Sequence, residues 1–92
     1  MPKSLYIGTW YIYNYQRREF LNYHRKGPDG RQVVGWVPSM RTAYQWKNPS
    51  RAEAIARILN REMGGMPCQA VSGMAAKCFE EMMEREAKAD VL

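Results

Sequence analysis

The chain predicts an α+β fold: a three- to four-stranded antiparallel sheet with one helix packed on a face, followed by a C-terminal helix. Three observations carry this. Residues 5–15, LYIGTWYIYNY, are rich in aromatic and β-branched side chains and hold no proline. Gly27-Pro28-Asp29-Gly30 is the strongest turn signal, since proline presets one φ and glycine admits positive φ. Residues 50–63 repeat apolar side chains at helical spacing behind a serine.

The elements follow in order. A first strand is expected over residues 5–15, broken by a turn at Gln16, Arg17 and Arg18. A second runs from Glu19 to Arg25, and beyond the Gly27–Gly30 turn a third spans Gln32 to Val37, closed by Pro38. The three read as an antiparallel meander. Ala43 to Trp46 reads as a short extended piece crossing toward the helix.

The first helix is expected from Ser50 to Met63. Ser50 and Glu53 have capping-box spacing, and Pro49 disfavours an earlier start. Ala52, Ile55, Ala56, Leu59 and Met63 share one face, and Gly64-Gly65 ends the helix. Met66 to Val71 suits a short edge strand, proline being tolerated there. The last helix is expected over Met74 to Lys88, with Met74, Ala75, Cys78, Phe79, Met82 and Met83 as its apolar stripe. Glu80, Glu81, Glu84 and Glu86 form its wet side. The whole chain, residues 1–92, then makes one two-layer domain in which one sheet face stays uncovered.

Charge divides the chain. Residues 1–61 hold eleven Lys or Arg against three acids, whereas residues 62–92 hold three against six. The net charge of +5 is thus a strongly basic first part joined to an acidic tail. The two cysteines, Cys68 and Cys78, are too few for a disulfide framework and are expected as buried, inert thiols in a reducing compartment. Met-Pro-Lys-Ser-Leu has no apolar run suited to a secretory signal, and no stretch approaches the ~18 apolar residues of a membrane span. A soluble, cytoplasmic protein that meets no membrane is the expectation.

Little here points to catalysis. His24 is the single histidine, so no multi-histidine metal site exists, and its place in a strand beside Arg25 and Lys26 suits a surface or contact role better than a Ser-His-Asp set. The cysteines are ten residues apart and match no zinc spacing. The Gly27–Gly30 turn lacks the pattern of a phosphate-cradling loop, and no dinucleotide fingerprint is present. The chain is expected to be no enzyme and to take no cofactor and no metal.

The informative feature is the interleaving of rings and cations between Trp10 and Lys47. Exposed rings stack on bases and arginines bind phosphate bidentately, although the same mixture also makes protein hot spots. The candidate contact residues are Arg17, Arg18, Arg25, Lys26, Arg31, Trp36, Arg41, Lys47 and Arg51. The turn from Lys26 to Arg31 is expected to project from the sheet, and Arg41 with Lys47 and Arg51 to form a second cluster.

Val33-Val34-Gly35-Trp36-Val37, Ala43-Tyr44-Gln45-Trp46 and Ser50-Arg51-Ala52-Glu53-Ala54-Ile55-Ala56 form a strand with a tryptophan, a short crossing and an alanine-rich helix. This layout resembles that of small phage proteins, among them the anti-CRISPR inhibitors. The resemblance implies a stoichiometric inhibitor docking on a CRISPR-Cas surveillance complex, against Cas proteins and guide RNA, and blocking target DNA. Two further readings stay open: a free nucleic-acid-binding regulator, and an interaction module that dimerises through the methionine-rich last helix.

Overall fold

A computed structural model of the chain describes residues 8–62, 64–65 and 68–91. Four strands, β1 (Trp10–Asn14), β2 (Glu19–Lys26), β3 (Gln32–Val37) and β4 (Cys68–Ser72), form one antiparallel sheet in the order β3-β2-β1-β4. Helix α1 (Pro49–Glu62) separates β3 from β4, and α2 (Gly73–Val91) follows β4. The meander and the α+β class are as expected. Residues 5–7 of the expected first strand, together with Met63, Met66 and Pro67, lie outside the described residues.

The expected two-layer arrangement is corrected: helices cover both sheet faces. Successive side chains of a strand point to opposite sides, and β1 shows the consequence. Trp10 and Ile12 pack with Leu21, Trp46 and the α1 residues Ala52, Ala56 and Leu59. Tyr11 and Tyr13 pack on the other side with Phe20, Met40, Val71 and the α2 residue Ala76. The alternating apolar pattern expected of a half-solvated strand is absent from β1, since both its faces are buried.

β1 and β2 are paired only at Tyr13–Phe20 and Asn14–Glu19. Beyond this they diverge, and the segment after β3 enters the gap. A short 3-10 turn, Met40–Thr42, leads to Tyr44, whose N–H donates to the Leu21 carbonyl at 2.8 Å. Trp46 then exchanges two backbone hydrogen bonds with Trp10, at 2.7 and 2.8 Å. The crossing segment is therefore extended, as expected, and serves both strands. β2 is irregular between Leu21 and Tyr23, and the Asn22 amide donates to the Thr42 carbonyl.

Helix α1 begins two residues earlier than a capping box with Ser50 as the cap implies. Asn48 is its cap: its Oδ1 accepts from the Ser50 N–H at 2.9 Å and its carbonyl from Ala52 N–H at 3.2 Å. Pro49 occupies the first helical position, where a missing N–H costs nothing. The restriction that proline imposes falls on Asn48, which as a cap is outside the helix. At the other end Gly64 adopts φ +69° and the Gly65 N–H reaches back to the Asn60 carbonyl at 2.9 Å. That closing bond satisfies one of the helix's last carbonyls. Asn60 also pairs with both backbone groups of Cys68, at 2.7 and 2.9 Å, tying α1 to the first residue of β4.

The stripe expected on α2 is rotated. Met74, Cys78 and Met82 are exposed, while Ala75, Ala76, Phe79 and Met83 face the sheet. Ser72 caps the helix by accepting from Ala75 N–H at 3.2 Å, which starts it at Gly73 rather than Met74. Phe79 stacks on Tyr13 with ring centroids 4.6 Å apart, so this position is part of the core.

Leu59 is fully buried in the α1-side core. Replacing it by Ala is expected to cost roughly 2–5 kcal/mol through lost transfer energy and the cavity left behind. Urea unfolding of the two proteins measures the difference; a loss well below that range would mean that the site collapses around the smaller side chain.

Candidate nucleic-acid interface

The β2–β3 hairpin carries the densest group of cations. Its tip is closed by Gly27 N–H to Arg31 O at 2.7 Å and Gly30 N–H to Gly27 O at 3.0 Å. Asp29 accepts from the Arg31 N–H at 3.1 Å, and Gly30 supplies the left-handed conformation at φ +85°. Arg25, Lys26 and Arg31 are all exposed at this tip. It does not project freely, because the Gln32 N–H donates to Glu62 Oε1 at 2.8 Å. That bond ties the hairpin to the last turn of α1. Chain continuity then places Arg31 and Arg61, each one residue from a bonded partner, within roughly 13 Å between Cα atoms.

The two hairpin faces differ. His24 pairs with Val34, which packs with Trp36 on the α1-side core. The His24 ring stacks on Trp46 at 5.1 Å, and Tyr44 meets Trp46 at 4.6 Å. Trp36 is thus a packed residue with a partly exposed surface rather than an open stacking platform. Trp46 is 6% exposed and its Nε1–H has no acceptor among the described residues. Among the described tyrosines, Tyr11 and Tyr13 are buried, whereas Tyr15, Tyr23 and Tyr44 present surface.

Arg17 and Arg18 stand at the opposite end of β2, in the turn after β1. Buried Asn14 organises this turn by accepting from the Gln16 and Arg17 N–H groups at 2.9 and 3.0 Å. Arg17 pairs with Glu19 at 3.1 Å, and Arg18, at φ +59°, pairs with Glu86 of α2. The hydrogen bond and the guanidinium charge hold the Glu86 carboxyl below its ordinary range and raise Arg18 further. Both arginines are consequently engaged with acids. Glu80 is engaged as well, its carboxylate accepting from the Met40 N–H at 2.8 Å, so the acids of α2 are not merely a solvated face.

The expected cluster of Arg41 with Lys47 and Arg51 is divided. Arg41 lines a cleft of about 420 Å³ with Lys77, Glu80 and Glu84, on the α2 side. Lys47 and Arg51 flank the start of α1, whose first turn holds no acid. Arg57 and Arg61 are exposed further along the same helix. Among the described residues, none of Arg25, Lys26, Arg31, Lys47, Arg51, Arg57 and Arg61 is in an ion pair. Arg57 and Arg61 were not among the sequence candidates. Helical spacing put them on a polar face but carried no signal of the hairpin beside it.

Cys68 is buried, and burial pushes its thiol up to about 11, as an inert core cysteine requires. Cys78 departs from expectation and is exposed. Among the described residues no group of His, Cys, Asp and Glu is arranged to hold a metal ion, and no helix is long and apolar enough to cross a membrane.

Two measurements check this geometry. A thiol-reactive dye is expected to label Cys78 rapidly in the native protein and Cys68 only on unfolding, with Cys78→Ser removing the fast phase. Rapid native labelling of Cys68 would contradict its burial. The Arg18–Glu86 pair is expected to add its full stabilisation above the unfolded glutamate pKa and to lose it as pH falls through the lowered folded value. Glu86→Gln therefore flattens the acid side of the Tm–pH curve slightly, the pair being about half exposed. Coincident acid limbs in the two proteins would show that the pair contributes nothing.

No family model, curated protein or solved structure matches this chain. Its functional reading therefore rests on its own residues.

Proposed function

We propose that this chain is a non-catalytic binding protein, an inhibitor of the phage anti-CRISPR type, which docks on a CRISPR-Cas ribonucleoprotein and blocks target DNA binding. The observation that carries this reading is the segregation of charge. Among the described residues Lys26, Arg31, Lys47, Arg51, Arg57 and Arg61, on the hairpin and on or just before α1, have no acid partners, whereas Glu80, Glu81, Glu84 and Glu86 belong to α2.

The polarity is suited to a partner that displays phosphate. The arginines and lysines of the hairpin and α1 attract guide RNA or occupy a channel built for DNA, and each neutralised phosphate releases a counterion. The acids of α2 limit non-specific coating by nucleic acid, because a polyanion is repelled from that helix. Such a protein acts in the bacterial cytoplasm, where those complexes operate, and occupies its site stoichiometrically. Rings at the same surface add contact area with little entropy to lose.

The test compares binding to a purified surveillance complex with binding to its naked guide RNA and to duplex DNA. The complex is expected to bind more tightly than either nucleic acid and to lose target DNA as the inhibitor is added. Lys26→Glu, Arg31→Glu and Arg61→Glu combined are expected to weaken docking by at least roughly tenfold without lowering the Tm. Equal binding to naked nucleic acid would favour a free nucleic-acid regulator instead. Binding to neither complex nor nucleic acid would overturn both readings.

A further inference from the structure

We propose that Tyr23, with Arg25 and Arg31, forms a stacking site for an unpaired nucleotide of single-stranded nucleic acid. This inference rests on the nucleic-acid-facing reading above, and it names what the hairpin recognises within such a partner. Strand alternation puts Tyr23 and Arg25 on the hairpin face opposite His24 and Lys26. Since His24 and Val34 belong to the α1 side, the Tyr23 face is the α2 side of the sheet, where α2 itself packs against β1, β4 and the Met40–Thr42 turn. Arg31 stands at the same tip, exposed in the bend just before Gln32.

The ring is held in position by an absence of side chain beneath it. Tyr23 pairs with Gly35, and a β-carbon at Gly35 would stand 2.8 Å from Tyr23 Cδ1 and closer still to Cε1. The ring thus occupies the space that any larger residue at position 35 would need. Glycine in the middle of a strand weakens it unless another group fills that space, and here Tyr23 does so. The ring nevertheless keeps 44% of its surface exposed. A large aromatic group in a set position, half open to solvent, is what base stacking requires.

Charge completes the site. Arg25 lies two residues along the same strand, roughly 7 Å from Tyr23, and neither it nor Arg31 has an acid partner among the described residues. At the root of the hairpin, the Asn22–Thr42 hydrogen bond brings in the chain next to Arg41, whose side chain lines the cleft with Glu80 and Glu84 instead. The cations that serve the ring are therefore those of the hairpin itself. A base lying on Tyr23 leaves its phosphates within reach of these guanidinium groups. Duplex bases are already stacked on each other, so the site selects for single strands, loops or ends.

Fluorescence anisotropy of the full chain with a labelled single-stranded 12-mer, and with the same sequence as a duplex, tests this. The wild type is expected to prefer the single strand. Tyr23→Phe retains the ring and is expected to bind normally. Tyr23→Leu still covers Gly35 but has no π-face, and is expected to lose roughly tenfold or more in affinity for the single strand, with little change for the duplex. Gly35→Ala displaces the ring without removing it and is expected to produce a similar loss, with circular dichroism reporting that the hairpin persists. Arg25→Glu is expected to weaken binding and to reduce its salt dependence.

Unchanged single-strand affinity in Tyr23→Leu overturns the proposal, as does a wild-type preference for duplex or no binding to either oligonucleotide. These failures are distinguishable from failure of the broader reading. If Lys26→Glu/Arg31→Glu/Arg61→Glu abolishes docking on the surveillance complex while Tyr23→Leu leaves it intact, the charged surface stands and the ring site falls.

Discussion

Where β1 and β2 separate after two paired positions, backbone polar groups of both strands are left to find new partners, and the Tyr44–Trp46 segment supplies them. Trp46 exchanges two hydrogen bonds with Trp10, and Tyr44 donates to Leu21. A buried N–H or carbonyl without a partner is costly, so this wedge is what allows the sheet to open without losing its backbone pairing. The opening admits Trp46, which is 6% exposed, as a filler for the α1-side core. It also sets where α1 begins, because Asn48 caps the helix two residues after Trp46.

The wedge has a consequence for the hairpin. Freed from β1 beyond Phe20, the outer parts of β2 and β3 are held instead by Trp36 and Val34 on the α1-side core and by the Gln32–Glu62 bond. A long hairpin attached at one end only would be weakly stable. Tying its tip to a helix terminus restrains the cations there and lowers the entropy lost when they meet a partner. The same tie joins the Arg25, Lys26 and Arg31 group to the arginines of α1, which lie far away in sequence.

On the other face, α2 neutralises part of the basic surface. Glu86 takes Arg18, and Glu80 takes the backbone of the 3-10 turn at Met40. Arg17 is likewise matched by Glu19. These contacts divide the basic residues into a compensated set near the β1–β2 turn and an uncompensated set on the hairpin and α1. An exposed ion pair adds little to stability, but its effect on the field is direct: it erases a cation from one end of the molecule. The remaining positive charge lies on the hairpin and α1, and the hairpin also exposes the ring of Tyr23.

Local signals alone determined much of the fold. The Gly27–Gly30 turn before the valine-rich Gln32–Val37 run set the β2–β3 hairpin, and the apolar period before Gly64-Gly65 set α1, because turns and helices are closed by hydrogen bonds between near neighbours. The basic character of the hairpin was legible from its composition, and burial, expected of both cysteines by residue type, holds for Cys68 alone. Tertiary packing decided the rest. Only the docking of α2 on the second face turned Tyr11 and Tyr13 into core, rotated the α2 stripe so that Cys78 is exposed, and paired Glu86 with Arg18. The candidate interface divides in the same way: Arg25, Lys26 and Arg31 stand together through the turn, whereas Arg61 joins them only through a bond spanning thirty residues. Which face of an element is covered depends on partners distant in the chain, and periodicity records that a face is apolar without recording what lies against it.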